Sequence, residues 1–495
     1  MPTMTQRELQ PAAAEFLGSG VLRSVIDGAP HTGEAGAELD VLDPSTAQPI
    51  ARIAMGGAAE VAAAAEAADR AFADWSALAP NERSVWLHRL ADALEDDQAA
   101  LAELESLDVG KAITAARGFD IPFGIECLRY FADLAVNTLY DVPLPLSRIE
   151  ARTHRTPYGA CGFILPWNFP FDLLMWGVAP ALAAGNTVVV KPSEVTPLSA
   201  LYVCHVAQRI GLPAGVINVV LGDGPSVGAP MPEHPLIRRM SFTGSTEVGK
   251  KIGAACGARP IPAKLELGGK GAAVVFDDVD LPQAAHSLAD AITLNTGQVC
   301  CTATRWVVHE KVFDDFVDLA RQRLAATKIG PGLDESTQMG PLVSQTQRDR
   351  VLGYYERGLA GGASALLERR PTDFDEGFFV SPVLLTGGVD NVCWREEIFG
   401  PAAFLTKFSD EAEAVATVNR LEYGLANSVW TSDLARAGRV AERMVAGNSW
   451  INAHNVFAYG LPYGGVNLSG VGGGVNSPET FFDYLRGQTI ARPLG

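Results

Sequence analysis

The residues with the most chemistry to offer are a cysteine and a glutamate, 300 − 266 = 34 positions apart. Cys300 stands in Gly297-Gln298-Val299-Cys300-Cys301-Thr302. A thiolate attacks carbonyl carbon well and also leaves well, which suits two-step acyl transfer. The competing reading is a buried structural thiol, because free cysteine is usually a small core residue. An extended chain turns adjacent side chains to opposite faces, so only one of the pair is expected to face a cleft. Cys301 is assigned to the core. Glu266 stands in Leu265-Glu266-Leu267-Gly268-Gly269-Lys270, where a strand gives way to a Gly-Gly turn. Partial burial there raises a carboxyl pKa toward neutrality, as a general base for water needs. An ion pair with Lys264 or Lys270 is the alternative. In Ile164-Leu165-Pro166-Trp167-Asn168-Phe169-Pro170, the Asn168 amide can donate to a developing oxyanion or close an Asx-turn.

Three loops suit a dinucleotide. Lys191-Pro192-Ser193-Glu194 follows an apolar run, so an ammonium and a carboxylate stand at a strand's C-terminal edge near sugar hydroxyls. A carboxylate there also repels a ribose 2′-phosphate, which favours NAD over NADP. Gly222-Asp223-Gly224 is a loose glycine fingerprint, weak by itself. Phe242-Thr243-Gly244-Ser245-Thr246-Glu247 leads into a helix, where Ser245 serves a phosphate, an N-cap or both.

The elements that must position these groups alternate. Val41–Arg52 reads as strand, turn, strand, with Pro44 and Ser45 at the bend. Helices follow over 61–78, over a stretch capped by Asn81, and over one ended by Gly110. Strands are expected at 160–165, 187–190, 216–221 and 239–242, with helices at 173–184, 199–210 and 246–256. A second series has strands at 273–276, 305–309, 379–385 and 428–431. Its helices fall at 311–327, 345–359, 411–421 and 433–445. Such alternation predicts two α/β lobes joined near 265, each with a parallel sheet. The chain closes on a further strand, 485–493.

Composition narrows the class. A net charge of −18 argues against nucleic acid as a main partner. Seven scattered cysteines form neither a disulfide framework nor a zinc motif. The start, Met1 to Leu17, is polar, and no segment reaches the roughly 20 apolar residues of a membrane span. A cytoplasmic protein without membrane partner or metal is the expectation.

In this order the motifs resemble the aldehyde dehydrogenase superfamily over nearly the whole chain. The resemblance rests on P-W-N-F-P, K-P-S-E, F-T-G-S-T, L-E-L-G-G, G-Q-x-C and Glu396-Glu397-Ile398-Phe399-Gly400-Pro401. It implies a Rossmann-like cofactor domain (20–133 and 154–264), an α/β catalytic domain (265–466) and a small β oligomerisation element (134–153 and 478–495). By resemblance Cys300 is the nucleophile, Glu266 the base, and Asn168 with the Cys300 backbone N–H the oxyanion hole. Lys191 and Glu194 would hold the adenosine ribose, Ser245 and Trp167 the pyrophosphate, and Glu397 the nicotinamide ribose. Phe399 would pack near the nicotinamide, with Ile164, Gly224, Gly244 and Leu267 completing the cofactor contacts. Phe123, Phe169, Leu173, Trp176, Val299, Cys301 and Phe457 would line the substrate tunnel. None is Arg or Lys, so a hydrophobic aldehyde, aromatic or medium-chain, is expected rather than a carboxylated one. A cationic amino-aldehyde held by aromatic faces is a further possibility. The implied activity is NAD-dependent, hydrolytic oxidation by a homodimer or homotetramer. An acylating, coenzyme A-dependent enzyme and a non-catalytic scaffold are the rival readings.

The chain also departs from the family. Gly177 replaces a frequent lysine after Trp176, and Asn467 replaces another in the glycine-rich ending. Gly473 and Gly474 replace an Arg-Glu pair there, and Arg486 stands where an acidic residue is common. Gly177 removes the lysine to which a proton-relay role is attributed in the family, and the changes near the C-terminus imply altered subunit contacts.

Overall fold

Short runs of alanine, valine and isoleucine, buried on both faces, build two mostly parallel sheets, since parallel strands take helices over both surfaces. In the first sheet β1 (Ala160–Ile164), β2 (Thr187–Lys191), β3 (Ile217–Val219), β4 (Ile237–Thr243) and β5 (Ala263–Glu266) run parallel. Their spatial order is 5-4-1-2-3. Antiparallel strands close the edges, Gly470–Val471 beside β5 and Val25–Ile26 beside β3. The chain moves outward from β1 through β2 and β3, then returns to the other side of β1 as β4. Loops leaving β1 and β4 therefore diverge, and a crevice opens between them.

In the second sheet β6 (Gly271–Val275), β7 (Ala303–His309), β8 (Val383–Thr386), β9 (Ala402–Phe408), β10 (Ala426–Trp430) and β11 (Asn448–Ile451) lie in the order 8-9-7-6-10-11. All are parallel, with Ser364–Leu367 antiparallel at one edge. The chain is thus an α/β protein. In a third, antiparallel sheet Leu485–Pro493 pairs along its whole length with Ile149–Pro157, and Asp141–Leu144 lies on the far side. Ile149–Pro157 runs unbroken through the division expected at 153/154, and β5 through the one expected at 264/265.

The computed structural model describes residues 9–31 and 37–494. Residues 1–8 of the polar start and Gly495 of the closing segment lie outside the described residues. No described helix is long and apolar enough to cross a membrane.

Some expectations need correction. The helix Pro80–Asp96 starts one residue before Asn81, because Pro80 takes the first helical position and the Glu82 carboxylate accepts from the Ala79 N–H at 2.7 Å. Asn81 is therefore in the first turn and is not the cap. The strand expected from Phe379 begins only at Val383, since residues 379–382 carry no ladder bonds. The helix expected at Leu173 begins three residues earlier, at Pro170.

Candidate active site

Two opposed edges make the site. The first sheet contributes its C-terminal edge: Trp167 and Asn168 after β1, Lys191 to Glu194 at β2, Gly244 and Ser245 after β4, and Glu266 ending β5. The second contributes its N-terminal edge: Gly268 and Gly269 before β6, Cys300 before β7, and Glu397 to Phe399 before β9.

Cys300 is delivered by an uncommon turn. After the helix Leu281–Thr293, Asn295, Thr296 and Gly297 all take left-handed backbone, with φ of 46°, 56° and 73°. For β-branched Thr296 this is costly, and such strain persists only where neighbours impose it. They do so here. Asn295 Nδ2 donates to the Asn168 carbonyl at 2.8 Å, and Thr296 Oγ1 to the Gly340 carbonyl at 2.9 Å. Gln298 ties the turn at both ends, its Nε2 donating to the Asn295 carbonyl at 3.0 Å and its Oε1 accepting from the Val343 N–H at 3.0 Å. Gly297 packs directly on the Gly400 backbone, where a Cβ has no room.

The turn also undoes the expected separation of the two cysteines. Residues 300 and 301 are in a turn rather than extended, and both line one aromatic cavity. The Cys300 sulfur lies 3.5 Å from the Tyr463 phenol oxygen. Hydrogen bonding from Cys301 and from Tyr463 holds the Cys300 thiol below its ordinary range, against burial, which pushes it up. The Cys301 thiol also reaches Asn455 Oδ1, at 3.4 Å.

Glu266 is buried, and neither carboxyl oxygen has a hydrogen-bond partner among the described residues. Burial pushes its pKa far above the usual carboxylate range. The alternative ion pairs do not form. Lys264 Nζ pairs with Asp483 at 3.0 Å and donates to the Gly474 carbonyl at 2.6 Å, while Lys270 Nζ has no hydrogen-bond partner among the described residues. Burial drives Lys270 down to about 7. Glu266 and Cys300 line one small cavity of about 30 Å³, together with Gly177, Ser241 and Tyr484. That is room for a water molecule.

Asn168 does not close an Asx-turn. Its Nδ2 donates to the Gln298 carbonyl at 3.0 Å, which fixes the amide two residues from Cys300 and leaves its second N–H unspent.

The expected cofactor residues lie along the crevice. Lys191 Nζ and Glu194 Oε2 pair at 3.0 Å, and Ile164 is in register with Lys191 across β1 and β2. Gly228 approaches both side chains, while Gly224 opens the short π-helical turn Gly224–Gly228. Ser245 caps the helix Thr246–Ala258, accepting from Val248 N–H at 3.4 Å. Leu267 packs on Gly249 of that helix. Glu397 accepts from the Gly269 N–H at 2.8 Å, and burial lifts its pKa to about 7. Phe399 is left-handed, with φ 60°, held by Gln347 Nε2 donating to its carbonyl at 2.7 Å, and it stands edge-on to Trp167. A helix N-terminus, a paired ammonium and carboxylate, and a second carboxylate at the far end fit a dinucleotide laid along the crevice.

The aromatic cavity at Cys300, about 280 Å³, is walled by Phe169, Leu173, Trp176, Val299, Cys301 and Phe457. Phe123 is not part of that wall. It lies behind Phe119, stacked on it at 4.9 Å, so Phe119 takes its place. Phe119 rides on the π-helical turn Ala116–Asp120, whose Asp120 meets buried Lys111 at 2.5 Å. Tyr463, Leu294, Gln347 and Arg350 also line the cavity and were not foreseen. Tyr463 alone had a signal, standing in the glycine-rich Pro462-Tyr463-Gly464-Gly465. Arg350 is the cavity's cation, at the Glu397 end, where its guanidinium donates to the Glu397 carbonyl at 2.8 Å.

Comparison with known proteins agrees with this geometry. The model of the aldehyde dehydrogenase family matches residues 31–490. The chain is 40% identical over 448 residues to phenylacetaldehyde dehydrogenase of Pseudomonas fluorescens, covering 88% of each. It is 38% identical to PnpE of Pseudomonas sp. WBC-3, whose crystal structure superposes with a TM-score of 0.93 over 96% of this chain and 98% of that one. A betaine aldehyde dehydrogenase of Staphylococcus aureus, solved in complex with NAD+, is 32% identical, with a TM-score of 0.94 over 98% and 97%.

Proposed function

Since the chain belongs to the aldehyde dehydrogenase family, we propose that it oxidises a hydrophobic aldehyde, aromatic or medium-chain, to its acid with NAD, through a thioester on Cys300. The observation that carries this reading is the place of Cys300 between two cavities. One is aromatic and large enough for an aldehyde; the other is water-sized and shared with Glu266.

The Cys300 thiolate, favoured by its hydrogen bonds, adds to the aldehyde carbon. The Asn168 side-chain N–H and the Cys300 backbone N–H hold the resulting oxyanion. When bound, NAD supplies a nicotinamide ring that accepts hydride, and Glu397 and Phe399 hold its place. Collapse of the oxyanion releases hydride and leaves the acyl group on sulfur. Glu266 in its ionised form then takes a proton from water in the small cavity, and the hydroxide oxygen adds to the thioester carbon. The carbon–sulfur bond breaks and the acid departs, leaving Cys300 free.

The Glu194 carboxylate, which would repel a ribose 2′-phosphate, supports NAD over NADP. The curated relative named for phenylacetaldehyde supports an aromatic substrate. A homodimer or homotetramer in the cytoplasm is part of the same reading, with Asp141–Leu144, Ile149–Pro157 and Leu485–Pro493 as the assembly surface. A spectrophotometric screen with NAD tests it. NADH and free acid from phenylacetaldehyde, benzaldehyde or hexanal without coenzyme A, lost in Cys300→Ala, are expected. NADH formation that requires coenzyme A and yields an acyl-coenzyme A thioester would transfer the reading to the acylating class, and a small dicarboxylate semialdehyde turned over faster than benzaldehyde and hexanal would overturn the substrate class.

A further inference from the structure

The segment following β11 grips Cys301, the residue next to the nucleophile. Asn452, left-handed at φ 49°, anchors it to the end of β10: its Oδ1 accepts from the Thr431 N–H and its Nδ2 donates to the Thr431 carbonyl, both at 2.9 Å. Two residues on, His454 Nε2 lies 3.0 Å from the Cys301 carbonyl oxygen and Nδ1 lies 3.0 Å from Ser428 Oγ. The partners decide the tautomer. A carbonyl only accepts, so Nε2 carries the proton. Ser428 Oγ already accepts from Trp430 Nε1 at 3.0 Å, so its own hydrogen goes to Nδ1.

The imidazole is packed edge-on against Trp450 at 4.8 Å, and burial pushes its pKa down to about 4, so it stays neutral in ordinary buffers. Asn455, also left-handed at φ 58°, accepts the Cys301 thiol through Oδ1 at 3.4 Å. Consecutive residues thus hold the main chain and the side chain of Cys301. The held carbonyl belongs to a telling peptide plane. Its other end, the Thr302 N–H, donates to the Val299 carbonyl at 3.2 Å and closes the turn that contains Cys300. His454 and Val299 therefore fix the two ends of one rigid plane.

We propose that His454 is a positioning residue for the nucleophile, its Nε2–H holding the Cys301 peptide plane and so aiming the Cys300 sulfur at the reacting carbon and the Cys300 backbone N–H at the oxyanion. This rests on Cys300 being the nucleophile. The histidine touches neither aldehyde nor cofactor, so its effect falls on kcat and on thiol reactivity and spares KM.

The test compares His454→Phe, which keeps a flat ring without the N–H, with His454→Gln, which keeps a donor. Steady-state kinetics, the pH profile of Cys300 alkylation by iodoacetamide and thermal melting are measured on each. His454→Phe should lower kcat on the order of 10- to 100-fold with KM within about twofold, and slow alkylation, while His454→Gln recovers most of both. A folded His454→Phe enzyme with unchanged kcat and alkylation overturns the inference, as does equal loss in both variants. If His454→Phe does not fold, Ser428→Ala replaces it. That variant releases the tautomer and should lower kcat less severely; an unchanged kcat again overturns the inference. Cys300→Ala separates the two readings. NADH formation surviving in Cys300→Ala sinks the nucleophile assignment, whereas its loss alongside a fully active His454→Phe sinks only the role of His454.

Discussion

The sulfur of Cys300 and the phenol oxygen of Tyr463 lie 3.5 Å apart, 163 residues distant in sequence. A phenol O–H donated to a thiolate stabilises the charged form, and hydrogen bonds to charged groups are the stronger ones. Tyr463→Phe should therefore move the midpoint of Cys300 alkylation up by about one pH unit, with the fold intact. An unmoved midpoint removes the phenol from the nucleophile's activation.

Glu266→Gln should separate the two half-reactions. Acylation needs no base at that position, so mixing enzyme, NAD and aldehyde should give a burst of about one equivalent of NADH and then slow turnover. Stopped-flow absorbance reads both phases, and steady turnover at the wild-type rate excludes Glu266 as the base.

The same substitution bears on stability. The folded-state pKa of Glu266 is raised, so folded protein keeps a proton that the unfolded chain has released. Stability is then lost as pH rises from the unfolded value through the folded one, and the whole penalty is present above it. Glu266→Gln removes that penalty. It should melt above the wild type at about pH 8, with the difference shrinking towards about pH 5. Melting curves across that range check the sign.

Glu194 should set the cofactor choice. It is paired with Lys191 at 3.0 Å, and removing its charge leaves the ammonium free for a 2′-phosphate. Glu194→Ser should raise kcat/KM for NADP at least about tenfold, equivalent to about 1.4 kcal/mol. No gain with NADP would place the adenosine ribose elsewhere.

Gly177 is a departure from the family pattern with an evident packing cause. A Cβ there would sit 2.7 Å from the Phe163 ring, which is fully buried. Gly177→Ala should cost about 1–3 kcal/mol in denaturant unfolding through overpacking. A neutral result would show that Phe163 can yield.

Much of this was legible in the sequence, and the failures have local causes. Short apolar runs announced β1 and β2, because both faces of those strands are buried. The left-handed turn at Asn295–Gly297 left no trace, since its conformation is imposed by Asn168, Gly340 and Val343 from distant positions. Phe119 was missed for a similar reason. A π-helical turn has no periodicity of its own, and this one is held by a buried ion pair to Lys111. Glu266 was placed by its Gly-Gly neighbour, but its lack of partners is set by Lys264 turning to Asp483, a residue 219 positions away (483 − 264).

The bonds that pin the strained turn come from Asn168 in the first lobe and from Gly340 and Val343 in the second. A chain still emerging from the ribosome lacks the second set when residue 300 appears. Its thiol is then an ordinary cysteine, with ordinary reactivity towards cellular electrophiles. Tyr463, whose phenol oxygen lies 3.5 Å from the Cys300 sulfur, emerges later still, so the hydrogen bonds that lower the thiol are complete only after both lobes are made.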